Sequence, residues 1–313
     1  MRLDDSEQSS DIEDRRGQSG GFGGGGGFGL PVGGGGIGIG TLIVLGLLGW
    51  ALGVDPRLLI GGAEILGGGG GYEQQQAPRQ SGRTGTPADD TGRFVSTVMG
   101  NIEREWRSIF QAANQPYNNP TLVLYNGQTY AACGGAQAAM GPFYCPNDQK
   151  IYLDTSFFNE IQTRFHGCDT GSRACQFTEA YVIAHEFGHH IQNLLKTLPR
   201  IQAEQQSLSK AEANRLQVMV ELQADCYAGL WANHENQRLQ NAGKPALVEP
   251  GDIEAALRTA AAIGDDTLQR KATGRVVPDS FTHGSAEQRQ RWFMTGYREG
   301  TVAACNTFRA ANL

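Results

Sequence analysis

The run IGIGTLIVLGLLGWALGV, residues 37–54, carries no charged side chain and is embedded in glycine. It divides the chain. Glycine loses more conformational freedom on ordering than any other residue, so neither GQSGGFGGGGGFGLPVGGGG before the run nor GGGGG at 67–71 after it can build a packed core. Eighteen uncharged residues reach the lower end of what spans a bilayer as a helix. Trp50 near the end of the run suits the interface. A cleaved signal peptide fits poorly, because the polar region before the run is long and VDP after it offers no small-x-small site. The plainer alternative is an apolar linker or a buried helix. The expected organisation is a disordered polar and glycine-rich tail over 1–36, a transmembrane anchor over 37–54, a flexible linker over 55–90, and one folded domain over 91–313. Membrane lipid is the expected partner of 37–54, and the glycines within it would let two copies associate.

A formal net charge of −6 argues against nucleic acid, which needs a basic surface. The basic residues form no run that would hold an acidic membrane surface. Six cysteines are present, an even number. Cys133 and Cys145 flank a Gly/Pro-rich loop, Cys168 and Cys175 flank a turn, and Cys226 and Cys305 would be left to pair across the fold. Disulfides persist in oxidising compartments, so the domain is expected outside the inner membrane, with the tail in the cytoplasm. The rival reading is a set of buried thiols or zinc ligands, and the lack of any C-x-x-C pair argues against a structural zinc cluster.

The folded part reads as a mostly helical α+β domain with a small sheet near its start. Asp90 or Thr91 caps a helix to about Ala113, with Phe94, Val98, Ile102, Trp106, Ile109 and Phe110 on one face. TLVLY at 121–125 reads as a strand ended by the turn Asn126-Gly127. KIYL at 150–153 reads as a second strand, and a helix follows through Phe165. Further helices are expected from Thr178 to Leu198, where Pro199 would end the run, over 203–240, over 251–263 and over 286–300.

The chemistry lies in AYVIAHEFGHHIQ. His185 and His189 are four apart, so both imidazoles lie on one helix face and can reach one metal ion, while Glu186 can face a metal-bound water. H-E-x-x-H alone is moderately specific; two histidines on an exposed helix are the bland reading. Against it, the helix is apolar, and a second helix, MVELQADCYAGLWA, supplies Glu221 and Asp225, again four apart. Catalytic zinc takes three protein ligands and keeps one open position, which makes Glu221 the natural third ligand. Asp225 can accept a hydrogen bond from the outer nitrogen of a ligating histidine. His190 points about 100° away from His189 and falls outside the ligand set. His166 and His234 have no motif around them.

H-E-x-x-H followed by a downstream E-x-x-x-D helix resembles the gluzincin branch of zinc peptidases. AYVIAHEFGHH, ELQADCYAGLW, CPNDQKIYLD and FTHGSAEQRQRWF together resemble the neutral zinc metallopeptidase family, the YpfJ-like proteins of bacteria. That resemblance implies a zincin-like fold, a Zn2+ cofactor and peptide-bond hydrolysis. The segment from His283 to Arg289 is similar to one thought to line the site of the CAAX-type proteases, which implies that His283 stabilises an oxyanion. The plainer reading makes His283 a loop residue before a helix capped by Thr282 or Ser285. If so, the oxyanion partner would be sought among Tyr144, Tyr152 and Tyr297. Zincins commonly bind substrate along an edge strand, a role KIYL could fill. The expected function is a membrane-anchored, zinc-dependent endopeptidase acting on polypeptides, with Glu186 as general base. The alternative is a metal-holding binding or chaperone-like membrane protein that cleaves little.

Overall fold

The computed structural model describes residues 1, 7–17, 82–137, 141–163, 172–249, 251–262 and 264–310. The expected anchor, Cys168, His166 and most of the linker lie outside them. Among the described residues no helix is long and apolar enough to cross a membrane.

Strands β1 (Ile12–Asp14) and β2 (Arg83–Thr84) precede the long helix α1 (Asp90–Ala112), which Asp89 caps by accepting the Gly92 N–H. Five more strands follow: β3 (Thr121–Tyr125), β4 (Gln128–Ala131), β5 (Gly134–Gln137), β6 (Phe143–Cys145) and β7 (Lys150–Asp154). The main sheet runs β2-β1-β3-β7-β6, with β1, β3 and β7 parallel and both outer strands antiparallel to their neighbours. Successive side chains of a strand face opposite sides. Leu122, Leu124, Ile151 and Leu153 therefore pack with the helices, while Val123, Tyr125 and Tyr152 form a smaller cluster with Cys145 on the other face. The Cys133–Cys145 disulfide ties the end of the β4–β5 hairpin to β6.

Two expectations fail here. Residues 9–17 are not part of a disordered tail: β1 pairs with β3 in the register Ile12–Leu122, Glu13–Val123 and Asp14–Leu124, and Ile12 is buried. KIYL is not an edge strand, because β7 lies between β3 and β6, and the edge belongs to β6.

The helical part comprises α2 (Phe157–Thr163), α3 (Arg173–Leu194), α4 (Thr197–Gln205), α5 (Lys210–Asn241), α6 (Asp252–Ala262), α7 (Asp265–Thr273) and α8 (Ala286–Glu299). Pro199 does not end a helix. The chain breaks at Lys196, which adopts a left-handed φ of 63°, and Pro199 sits in the first turn of α4, where its missing N–H costs nothing. A capping box of Ser209 and Glu212 starts α5, so the long helix begins at 210 rather than 203. Helix α3 and the middle of α5, residues 220–232, are buried on nearly every side and form the centre of the domain. Helix α8 crosses α5 at two glycines. A Cβ on Gly229 would lie 2.0 Å from the Phe293 carbonyl oxygen, and one on Gly296 would lie 1.8 Å from that of Cys226. The Cys226–Cys305 disulfide fastens the segment after α8 to the same stretch of α5. Cys175 is also disulfide-bonded.

Candidate metal centre

Helices α3 and α5 approach closely because Gly188 faces Ala224: a Cβ at Gly188 would lie 3.1 Å from the Ala224 Cα. That closeness lets side chains from both helices meet. One ligand atom each from His185, His189 and Glu221 gathers within 4.8 Å of the others. Glu221 Oε2 lies 3.2 Å from His185 Nε2 and 3.5 Å from His189 Nε2.

Each of these three side chains is held by its other atom. His185 Nδ1 lies 2.9 Å from Asp225 Oδ1. A carboxylate only accepts, so Nδ1 carries a proton, and Nε2 is the nitrogen left to offer a lone pair to a metal. His189 Nδ1 lies 2.9 Å from Gln192 Oε1. The Gln192 amide donates to the Val220 carbonyl and to Gln223 Oε1, which turns its oxygen toward His189 and sets the same tautomer there. The Gln217 amide donates to Glu221 Oε1 at 2.8 Å and leaves Oε2 for the centre. Asp225 is fully buried and accepts two further bonds from Arg289, at 2.8 and 2.9 Å, and one from the Tyr181 hydroxyl at 2.6 Å.

The electrostatics follow from this packing. Burial opposes charge on His185, but the neighbouring Asp225 and Glu221 outweigh it and push the imidazole up to about 10. Burial alone would raise Asp225; Arg289 and His185 overcome it and hold the carboxyl at about 2. Glu221 is likewise held well below the usual carboxylate range, with His189 and His185 overcoming the effect of burial. Glu186 is nearly buried beside the cluster, and desolvation raises its pKa. The donor set fits zinc: two imidazoles and one carboxylate, with outer atoms already satisfied.

His283 stands on a loop folded around Asp265. That carboxylate accepts the backbone N–H groups of Thr282, His283 and Gly284 through Oδ2, and its Oδ1 lies 3.3 Å from His283 Nδ1. The loop rests on the turn of α5 that carries Glu221, where a Cβ on Gly284 would lie 3.2 Å from Leu222 and 3.3 Å from Val218. The His283 side chain is 53 % exposed, open to solvent near the centre. The three tyrosines weighed as substitutes are committed elsewhere. Tyr144 bonds His190 and Asn193, Tyr152 donates to Asp148, and Tyr297 accepts from Asn236.

Gln192, Gln217, Tyr181 and Asp265 stand out in no motif of the sequence, and Arg289 only within one. Their signal was spacing alone: Gln192 is three residues after His189, Gln217 four before Glu221, and Tyr181 four before His185. His190 is a buried residue of a different kind. Its Nε2 donates to the Asn118 carbonyl at 2.8 Å, and its Nδ1 accepts from the Tyr144 hydroxyl at 3.1 Å, which binds α3 to β6. Burial lowers its pKa to about 4, so it stays neutral.

The sequence pattern of the family described as "Putative neutral zinc metallopeptidase" matches residues 1–308. The chain is 42 % identical over 309 residues to a protein of Escherichia coli strain K12 named "Uncharacterized protein YpfJ", covering 98 % of this chain and 99 % of that one. It is 42 % identical over 238 residues to an uncharacterized protein of Mycobacterium tuberculosis strain H37Rv, covering 74 % of this chain and 75 % of the relative. No solved structure matches. A match along nearly the whole length places the chain in the neutral zinc metallopeptidase family.

Proposed function

We propose that the chain is a zinc-dependent endopeptidase, attached to the inner membrane through residues 37–54, with its domain on the extracytoplasmic side. The observation that carries the catalytic reading is the convergence of His185 Nε2, His189 Nε2 and Glu221 Oε2, each fixed by a bond to its other atom. Zinc held there would polarise a scissile carbonyl and lower the pKa of a water. Glu186 is placed to take a proton from the attacking water and pass it to the leaving amine; its raised pKa suits both halves of that transfer. His283, directed by Asp265 through Nδ1, has Nε2 free to donate to the carbonyl oxygen as charge develops on it. The outer edge of β6 is unpaired among the described residues, and β6 is tied through Tyr144 to the helix of the metal ligands. An extended peptide added there would lie beside that helix. The disulfides support the oxidising compartment.

The test compares full-length wild type with Glu186→Gln on an unstructured protein substrate. The variant should keep one zinc per chain and lose cleavage. Cleavage at the wild-type rate would remove Glu186 from the mechanism. Zinc-loaded wild type that cleaves nothing would favour a metal-holding binding protein.

A further inference from the structure

Strand β1 is built into the domain rather than laid against it. It lies between β2 and β3, and hydrogen bonds from Leu122 N to the Asp11 carbonyl and from Arg15 N to the Leu124 carbonyl secure its ends. Its side chains are anchored at several distant points. Glu13 meets Lys150 Nζ at 2.6 Å. Arg15 donates to Glu13, to Thr129 Oγ1 and to the Tyr130 carbonyl. Asn119 donates to Asp11 at 2.7 Å.

The domain also carries features that make sense only with this segment in place. Gly100 sits in the middle of α1, where glycine costs about 1 kcal/mol relative to alanine. A Cβ there would lie 2.3 Å from the Glu7 carbonyl oxygen and 2.9 Å from Ser9 N, so the glycine makes room for the crossing tail. Glu103, nearly one turn further along α1, is buried, and its carboxylate accepts from Ser9 Oγ at 2.7 Å. Without residues 7–17, the buried strand β3 would present an unpaired edge to solvent and Glu103 would lose this partner.

The apolar run 37–54 lies in sequence between β1 and β2. A single membrane crossing would put residues 7–17 on one side and the rest of the sheet on the other. Exchange of β1 between two copies does not resolve this, because every copy would carry its tail on the same wrong side. We propose that residues 7–17 and the domain 82–310 lie on the same side of the membrane, so that the chain between them crosses it either not at all or an even number of times. This replaces the expectation of a cytoplasmic tail and a single-pass anchor. The inference stands apart from the peptidase reading, since it rests on the sheet and not on the metal centre.

The test uses the full-length chain in intact spheroplasts and a membrane-impermeant maleimide. Ser10→Cys reports the tail and Ala203→Cys the domain; both positions are exposed. Gln8→Cys and Thr301→Cys, also exposed, are a second pair should either of the first misfold. Tail and domain cysteines should label to the same extent, both before detergent or both only after it. Labelling of the domain before detergent with labelling of the tail only after it would overturn the proposal. So would the reverse pattern. Zinc content and proteolysis play no part in the readout, so this test can fail or succeed independently of the peptidase reading.

Discussion

Replacing Arg289 by methionine removes the guanidinium that faces Asp225 and leaves the rest of the ligand cluster in place. Arg289 is 3 % exposed and Asp225 is fully buried, and the two share paired hydrogen bonds of 2.8 and 2.9 Å. Removing one member of such a pair strands the other, which costs about 3–5 kcal/mol. A second route gives a similar size. Asp225 is held at about 2 against an ordinary 3.8, a depression that corresponds to roughly 2.5 kcal/mol of stability. That contribution is present above the unfolded value and is lost as pH falls through the folded one. In a domain of this size 3 kcal/mol corresponds to a drop in Tm of roughly 6–12 °C. The tautomer and aim of His185 depend on Asp225, so zinc affinity should fall about 10- to 100-fold as well. Urea melts of the full-length protein with and without chelator, together with zinc competition, measure both effects. Arg289→Lys, which keeps the charge and loses the fork, should fall between wild type and methionine. If Arg289→Met melts within about 0.5 kcal/mol of wild type with unchanged zinc affinity, Arg289 does not support the metal ligand and the argument from the paired bonds is wrong.

Three other outcomes are expected. His283→Ala should lower kcat about a hundredfold while zinc content and KM change little; an unaltered kcat makes His283 a loop residue only. Gly296→Ala should force α8 off α5 at the Cys226 carbonyl and destabilise the fold by about 3 kcal/mol in denaturant melts, and a neutral result would show that the crossing relaxes freely. Burial raises Glu103 from 4.5 to about 7, so its contribution is whole below the unfolded value and is lost as pH rises through 7. Glu103→Gln should therefore gain up to about 3 kcal/mol on wild type between pH 5 and pH 8. Parallel pH–stability curves for the two proteins would count against it.

The candidate ligand cluster was legible because helix geometry turns a spacing of four into a shared face, and both His185/His189 and Glu221/Asp225 have that spacing. The strands TLVLY and KIYL were legible for their apolar, β-branched and aromatic content. Strand β1 was not. Ile-Glu-Asp offers one apolar residue, and charged side chains read as solvated until residues far along the chain supply their partners, Lys150 for Glu13 and Thr129 for the adjoining Arg15. The edge position was misjudged for a related reason. Phe143–Cys145 is too short to announce a strand, yet it covers KIYL on the side expected to be free. Gln192 and Gln217 hold His189 and Glu221 but look like any polar helix residue, since the group each one meets is fixed by the approach of α3 to α5.

That approach also gathers negative charge that a divalent ion would answer. Glu186, Glu221 and Asp225 are brought together by Gly188 against Ala224, and Arg289 is brought to them by Gly229 and Gly296. Three carboxyl groups thus face one guanidinium in surroundings that exclude most water. Burial makes the excess negative charge costly. Two shifts answer it: desolvation raises the Glu186 carboxyl, and Asp225 and Glu221, against the effect of burial, raise the His185 imidazole. An ion of charge +2 among His185, His189 and Glu221 answers the same imbalance and requires His185 to give up its proton from Nε2. Zinc binding should therefore release protons and tighten as pH rises. Titrating metal into the full-length protein in two buffers of different ionisation enthalpy measures that release directly. Binding with no proton released would mean that His185 is already neutral, and that Asp225 and Arg289 balance one another without reaching the ligand.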